Sequence, residues 1–188
     1  MKPDMQRTRG FTLIEMVIVT IIIGIMAAVL SPLMLSSLRA YSETVDDVAV
    51  LDKLRYATER LAREIREVNY DSATTSYLFI SSVAAPSNSM TFTRSYYDAA
   101  GAVTTRNVTA GNTGSAVTLA YSDIAGNAPQ VLTDELGAAG NLAFSYFQQD
   151  GATPATSNID VRYVQINLTL LHNGNTYPQR TLVELRNR

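Results

Sequence analysis

The chain has 188 residues, no cysteine, 15 Lys plus Arg against 17 Asp plus Glu, and a formal net charge of -2. That length admits one globular domain with one added element; the missing cysteines exclude disulfide staples and thiolate metal sites, and the balance of charge lacks the basic face of a nucleic-acid binder. Charged residues make up only 17%, and Ser, Thr, Asn and Gly crowd the chain after residue 70, a balance that suits an exported β-rich head held by its core alone.

In chain order, a charged leader, MKPDMQRTRG, abuts FTLIEMVIVTIIIGIMAAVLSPLML without a gap. An ordinary secretory signal keeps its apolar stretch before the cut and discards it. Here the small residue that could mark a cut, Gly10, precedes the stretch, so the apolar segment survives processing. Met16 to Leu35 is interrupted only by Thr20 and Ser31; about 20 such residues at about 1.5 Å each span the roughly 30 Å hydrocarbon core. Lys2, Arg7 and Arg9 stand before this segment and Glu43, Asp46 and Asp47 after it, which places the leader in the cytoplasm and the remainder across the membrane.

Glu15 is the anomaly of the anchor. An ionisable group in a spanning helix costs up to about 3 kcal/mol at the helix centre, less near an end. Either Glu15 stays hydrated at the interface, or it pairs with the Phe11 amine that cleavage after Gly10 would create, on a neighbouring chain or on its own, since residues four apart share a helix face. Gly24 and Ala28 form a small-xxx-small pair that allows close helix approach. Pro32 removes a backbone donor and clashes one turn back, so a kink or local opening is expected there.

Gly10, Phe11, Glu15 on the fifth position after the cut, the apolar run and Pro32 together resemble the class III signal of type IV pilins and of the pseudopilins of type II secretion. The match covers residues 1 to about 35. The resemblance implies cleavage after Gly10 by a prepilin peptidase, N-methylation of Phe11 by the same machinery, a role for Glu15 in methylation and register, and packing of the apolar helices in a filament core. It also implies a single-pass inner-membrane protein with a periplasmic head, whose partners are membrane lipid, other pilin or pseudopilin subunits and an inner-membrane assembly platform. Many major pilins close their C-terminal region with a disulfide, so the absence of cysteine favours a minor subunit. RYATERLAREIREVN and the ending TLVELRNR are similar to the larger minor subunits of the PilW and GspJ type, and most of all to the MshO-type minor pilins of mannose-sensitive haemagglutinin (MSHA) pili. A minor pseudopilin of type II secretion shares every N-terminal feature, and a tip adhesin would use Tyr96, Tyr97 and Tyr121.

Beyond the anchor, Tyr41, Val45, Val48, Leu51, Leu54, Ala57 or Thr58, Leu61, Ile65 and Val68 recur at three- and four-residue steps, which predicts a long amphipathic helix docking that face on a sheet. Glu59 with Arg63, Arg60 with Glu64, and Arg63 with Glu67 stand four apart and would support the exposed face; Arg60, Arg63 and Arg66 could instead meet acids of an adjacent subunit. Asn69 and Asp71 end the helix. Strands follow over 77–81, 90–94, 103–109, 116–121, 142–148, 161–171 and 177–185. The last two are joined by His172-Asn173-Gly174-Asn175, a favoured primed turn, and Val164, Ile166, Leu168 and Leu170 alternate onto the face that receives the helix. Residues 95–115 and 122–140 read as loops or a small hairpin excursion. The expected fold is α+β and pilin-like, a long N-terminal helix on a C-terminal antiparallel sheet, divided into leader 1–10, spanning helix 11–35, amphipathic helix 36–70 and head 71–188.

No catalytic set assembles. The single histidine, His172, abuts a tight turn, and Gly111-Asn112-Thr113-Gly114 lacks the Lys and hydroxyl residue of a phosphate loop. Asp134 with Glu135, or Asp123 with Asn127, could offer oxygens to calcium but lack the spacing of a metal loop, so solvated loop acids are expected and no cofactor or metal.

Overall fold

The computed structural model describes residues 10–123 and 128–186; the leader residues 1–9, Asn127 and the last two residues lie outside them. The fold is α+β. Among the described residues helix α1 runs Leu13–Arg66, and nine strands follow: β1 Tyr70–Asp71, β2 Ser76–Tyr77, β3 Met90–Tyr97, β4 Val103–Thr113, β5 Ala116–Tyr121, β6 Gln130–Thr133, β7 Leu142–Phe147, β8 Tyr163–His172 and β9 Asn175–Glu184. The chain divides into two compact units, Met1–Asp47 and Val48–Arg188.

In the first unit the described residues from Leu13 are helical, and from Phe11 to Leu38 the large apolar side chains are exposed. Pro32 sits inside the helix without interrupting it. Its missing N–H leaves the Ala28 carbonyl without its ordinary donor, while the neighbouring Ser31 hydroxyl donates to the Ala27 carbonyl at 2.6 Å. Of the kink or local opening expected at Pro32, a break in the helix is not seen.

In the second unit the helix packs on antiparallel sheet. One sheet has the order β3-β4-β5-β6, a second β7-β8-β9, and β1 with β2 forms a short ribbon. Register lines up the buried rows: Phe92, Val108 and Tyr121 across β3, β4 and β5, then Met90, Ala110 and Leu119 beside them. In the other sheet Leu142, Phe144 and Tyr146 of β7 face Leu168, Ile166 and Val164 of β8. These and Leu170 are buried, at about 1.5–3 kcal/mol for each large side chain taken from water. The β8–β9 turn is as the Asn-Gly pair demands, with φ of 49° at Asn173 and 83° at Gly174 and His172 paired to Asn175.

The helix buries Val50, Leu54, Ala57, Thr58, Leu61, Ala62, Glu64 and Ile65. The expected series is therefore right from Leu54 onward and wrong before it: Tyr41, Val45, Val48 and Leu51 are exposed. At about 100° per residue Val48 lies some 160° around the helix from Val50, so the earlier steps mark a different face. The helix also ends sooner than Asn69, because Val68 bridges to Arg94 and the Asn69 N–H donates to the Thr93 carbonyl, drawing the chain into the sheet edge. Strand β6 falls within a stretch expected to be loop, and β3 and β4 extend into 95–113 as one hairpin.

Candidate processing and assembly site

Gly10, Phe11 and Thr12 precede the helix in irregular backbone. Thr12 is the N-cap: its carbonyl accepts from the Glu15 and Met16 N–H groups at 3.1 and 3.3 Å, and its hydroxyl accepts from the Glu15 N–H at 3.4 Å. Thr12-Leu13-Ile14-Glu15 thus has the spacing of a capping box, with Phe11 and Met16 at the positions of a hydrophobic staple. An acid in the first turn also meets the positive end of the helix dipole. This local role of Thr12 was legible in the T-x-x-E spacing, a signal the charge argument about Glu15 passed over.

Several consequences follow for the segment. The Gly10–Phe11 bond lies outside the helix with both residues exposed, Phe11 at 74%, so its backbone is open to an enzyme. A Cβ added at Gly10 or at Gly24 would meet nothing within 4 Å; neither glycine is required by this chain's own packing. The hydroxyls within the apolar run are satisfied internally, Thr20 donating to the Val17 carbonyl at 2.9 Å and Ser36 to that of Leu33 at 3.0 Å, which removes their cost in an apolar medium. The helix is long and apolar enough to cross a membrane, and its most apolar window is wholly unburied in the protein.

The head carries a different constellation. Glu64 is 1% exposed, and its carboxylate accepts from Arg60 at 2.9 Å, from the Tyr121 hydroxyl at 2.8 Å and from Arg94. Arg94 also pairs with Glu67. Beside them the Arg106 guanidinium lies between the Tyr96 and Tyr121 rings, 4.6 and 4.4 Å from their centroids, and reaches Asp123 at 3.4 Å. Burial, then the Glu64 carboxylate, pushes the Tyr121 hydroxyl up from its ordinary value. Three arginines and three acids balance here, which is the condition for ionic groups to sit in a core. Of the helix pairs expected, only Arg60–Glu64 forms; Glu59 pairs with Arg55 at 2.8 Å instead of Arg63.

Tyr121 is buried and Tyr96 is covered by Arg106, so of the three tyrosines an adhesin would use only Tyr97 is fully exposed. His172 lies 3.4 Å from Glu135, whose carboxylate also holds Lys53 at 2.6 Å; Asp134 is 3.8 Å from the same ammonium. The acids offered as calcium oxygens therefore face a lysine, and Asp123 faces an arginine. Among the described residues no three metal-ligating side chains converge.

The chain matches the prokaryotic N-terminal methylation motif over residues 5–31. It carries that motif on a pilin-like helix-and-sheet fold. No curated protein and no solved structure matches it. The match spans Gly10, Phe11, Glu15 and Gly24 and stops one residue short of Pro32. A methylation motif implies processing by a peptidase and methyltransferase and assembly with other pilin-like subunits.

Proposed function

We propose that the chain is a minor pilin-like structural subunit of a type IV pilus of the MSHA kind, cut between Gly10 and Phe11 and N-methylated at Phe11. The observation that carries this reading is the methylation motif over residues 5–31, with the Gly10–Phe11 bond exposed just ahead of the Thr12 cap. Hydrolysis there frees the α-amine of Phe11, two residues before the helix begins at Leu13. The open space around Gly10 supports a need for a small residue that comes from the peptidase rather than from the fold.

In this reading the leader is cytoplasmic, residues 11–35 span the inner membrane, and the rest of the helix and the head, 36–70 and 71–188, are periplasmic. The Phe11 amine of one chain meets Glu15 of another, so that two charges costly in lipid neutralise each other. Gly24 admits a neighbouring helix at close range. Pro32 leaves a carbonyl free near the outer membrane face, where the helix can open during assembly on the platform.

Intact-mass measurement of the mature protein tests the processing: loss of residues 1–10 and one added methyl are expected, and an uncut chain overturns the assignment. Glu15→Ala should insert in the membrane normally yet be methylated or incorporated less; wild-type incorporation would remove the role given to Glu15.

A further inference from the structure

Arg63 and Arg66 stand exposed on the last turns of α1 with no acidic partner among the described residues. The two acids that helical spacing offers Arg63 are taken, Glu59 by Arg55 and Glu67 by Arg94. With Thr58, Glu59 and Ala62 of the helix and Gln179 and Thr181 of β9 the two arginines line a groove of about 430 Å³, in which the one acid, Glu59, is held by Arg55. The side chains of Gln179 and Thr181 likewise make no hydrogen bond among the described residues.

The groove runs beside an open sheet edge. Among the described residues strand β9 pairs only with β8. A two-residue primed turn makes His172 and Asn175 a hydrogen-bonded pair, and antiparallel pairs alternate from there. The N–H groups of Tyr177, Gln179, Thr181 and Val183 therefore point to β8, and those of Arg180, Leu182 and Glu184 point outward. Pro178 falls in the outward series, where its missing N–H costs β8 nothing. By contrast, β3 is bridged on its outer side by Val68 and Phe79, and β7 by Ser87 and Pro154.

We propose that the outer edge of β9 from Arg180 to Glu184, with the Arg63–Arg66 groove beside it, receives an extended acid-bearing segment of another protein subunit as an added strand. Outward N–H and C=O groups supply the backbone ladder, as in other strand additions. Every second side chain of the incoming strand points to the helix side of the sheet. Same-face residues recur every 6–7 Å or so along a strand, while Arg63 and Arg66 are about 4.5 Å apart along the helix axis. Long arginine side chains absorb that difference, so acids at alternate positions meet one guanidinium each. A helix could satisfy the arginines but not the strand edge, which is why the occupant is extended. This surface stands independently of the N-terminal reading.

The test uses the full chain in detergent micelles with two eight-residue peptides, one alternating Glu and Val and one alternating Lys and Val. The Glu peptide is expected to bind, to weaken as salt rises, and to slow hydrogen exchange at the amides of Arg180, Leu182 and Glu184. Arg63→Glu with Arg66→Glu should weaken it by about tenfold or more, as truncated or reversed charge contacts do. Leu182→Pro, which removes only an outward donor, should abolish the exchange protection. If that variant loses its fold by circular dichroism, the arginine pair decides alone. Equal binding of the Lys peptide, indifference to the arginine reversals, or protection elsewhere overturns the proposal. Protection of the β9 amides that grows with the concentration of the chain alone also overturns it, since the occupant is then a second copy.

Discussion

Arg94 and Arg106 are direct cross-strand neighbours in β3 and β4, a placement that ordinarily repels. Glu64 and Glu67 on one and Asp123 with two tyrosine rings on the other make it tolerable, and Glu64 is the acid shared by helix and sheet. Glu64→Gln leaves Arg60 and Arg94 undercompensated in a buried site, so a loss of about 3–5 kcal/mol is expected, the usual cost of breaking one partner of a buried pair. Urea unfolding reads it, and a change under 1 kcal/mol, the scale of an exposed pair, would show that the cluster is solvated instead. A milder effect belongs to the exposed turn acids. The Thr153 hydroxyl, then the Ala152 and Thr153 N–H groups, hold the Asp150 carboxyl below its ordinary 3.8, and the Ala73 N–H and Thr74 hydroxyl do the same for Asp71. A carboxyl lowered by folding stabilises fully above its unfolded value and loses that contribution as pH falls through the folded one. Asp150→Asn with Asp71→Asn should therefore lower the thermal midpoint at neutral pH and leave it nearly unchanged well below pH 3.8, flattening the acid limb, as a thermal-midpoint series across pH would record.

At the scale of elements, the β8–β9 hairpin depends on one glycine. Gly174 has φ of 83°, and Gly174→Ala should cost about 1–2 kcal/mol because Cβ clashes in left-handed backbone; an unshifted thermal midpoint would mean that the turn relaxes freely. This hairpin and the alternation along β8 were legible because local chemistry decides them: Asn-Gly supplies the turn, and Val164, Ile166, Leu168 and Leu170 keep period two. The helix face was legible only in part. Tyr41, Val45 and Val48 satisfy the same three- and four-residue steps as Leu54, Leu61 and Ile65, and spacing alone does not reveal where one apolar face gives way to another. Strand β6 was hidden because Gln130–Thr133 is four residues long, lies among Gly, Ala and Pro, and owes its pairing to β5 across a register shift. The shared partner of Glu64 and Glu67 was hidden for a related reason, since Arg94 is about 30 residues away; helical spacing pointed to Arg60, which does pair with Glu64, and to Arg63, which does not pair with Glu67. At the N-terminus the methylation motif was legible in the order of the residues, and the Thr12 cap in its T-x-x-E spacing, which the hydrogen bonds of Glu15 and Met16 bear out.

For the whole molecule, the decisive contrast is between two kinds of apolar surface. None of residues 10–47 is buried, while among the described residues every buried hydrophobic side chain lies at Val50 or beyond. Removing the first 47 residues therefore removes no core side chain and no partner of Glu64. It does expose a new helix start at Val48 without a capping residue, but a missing cap costs only about 0.5–2 kcal/mol, and Val50 and Leu54 anchor the first two turns to the core. A chain of residues 48–188 is thus expected to remain soluble without detergent and to melt cooperatively, with tyrosine signals in near-ultraviolet circular dichroism lost in one transition. The full chain, with large apolar side chains exposed from Phe11 to Leu38, should require detergent or membrane under the same conditions. A gradual melt of the shortened chain, or binding of a hydrophobic dye before the transition, would show that the helix before Val48 contributes to the head's stability. Cooperative melting would instead assign the first unit's exposed apolar surface wholly to contacts outside the chain.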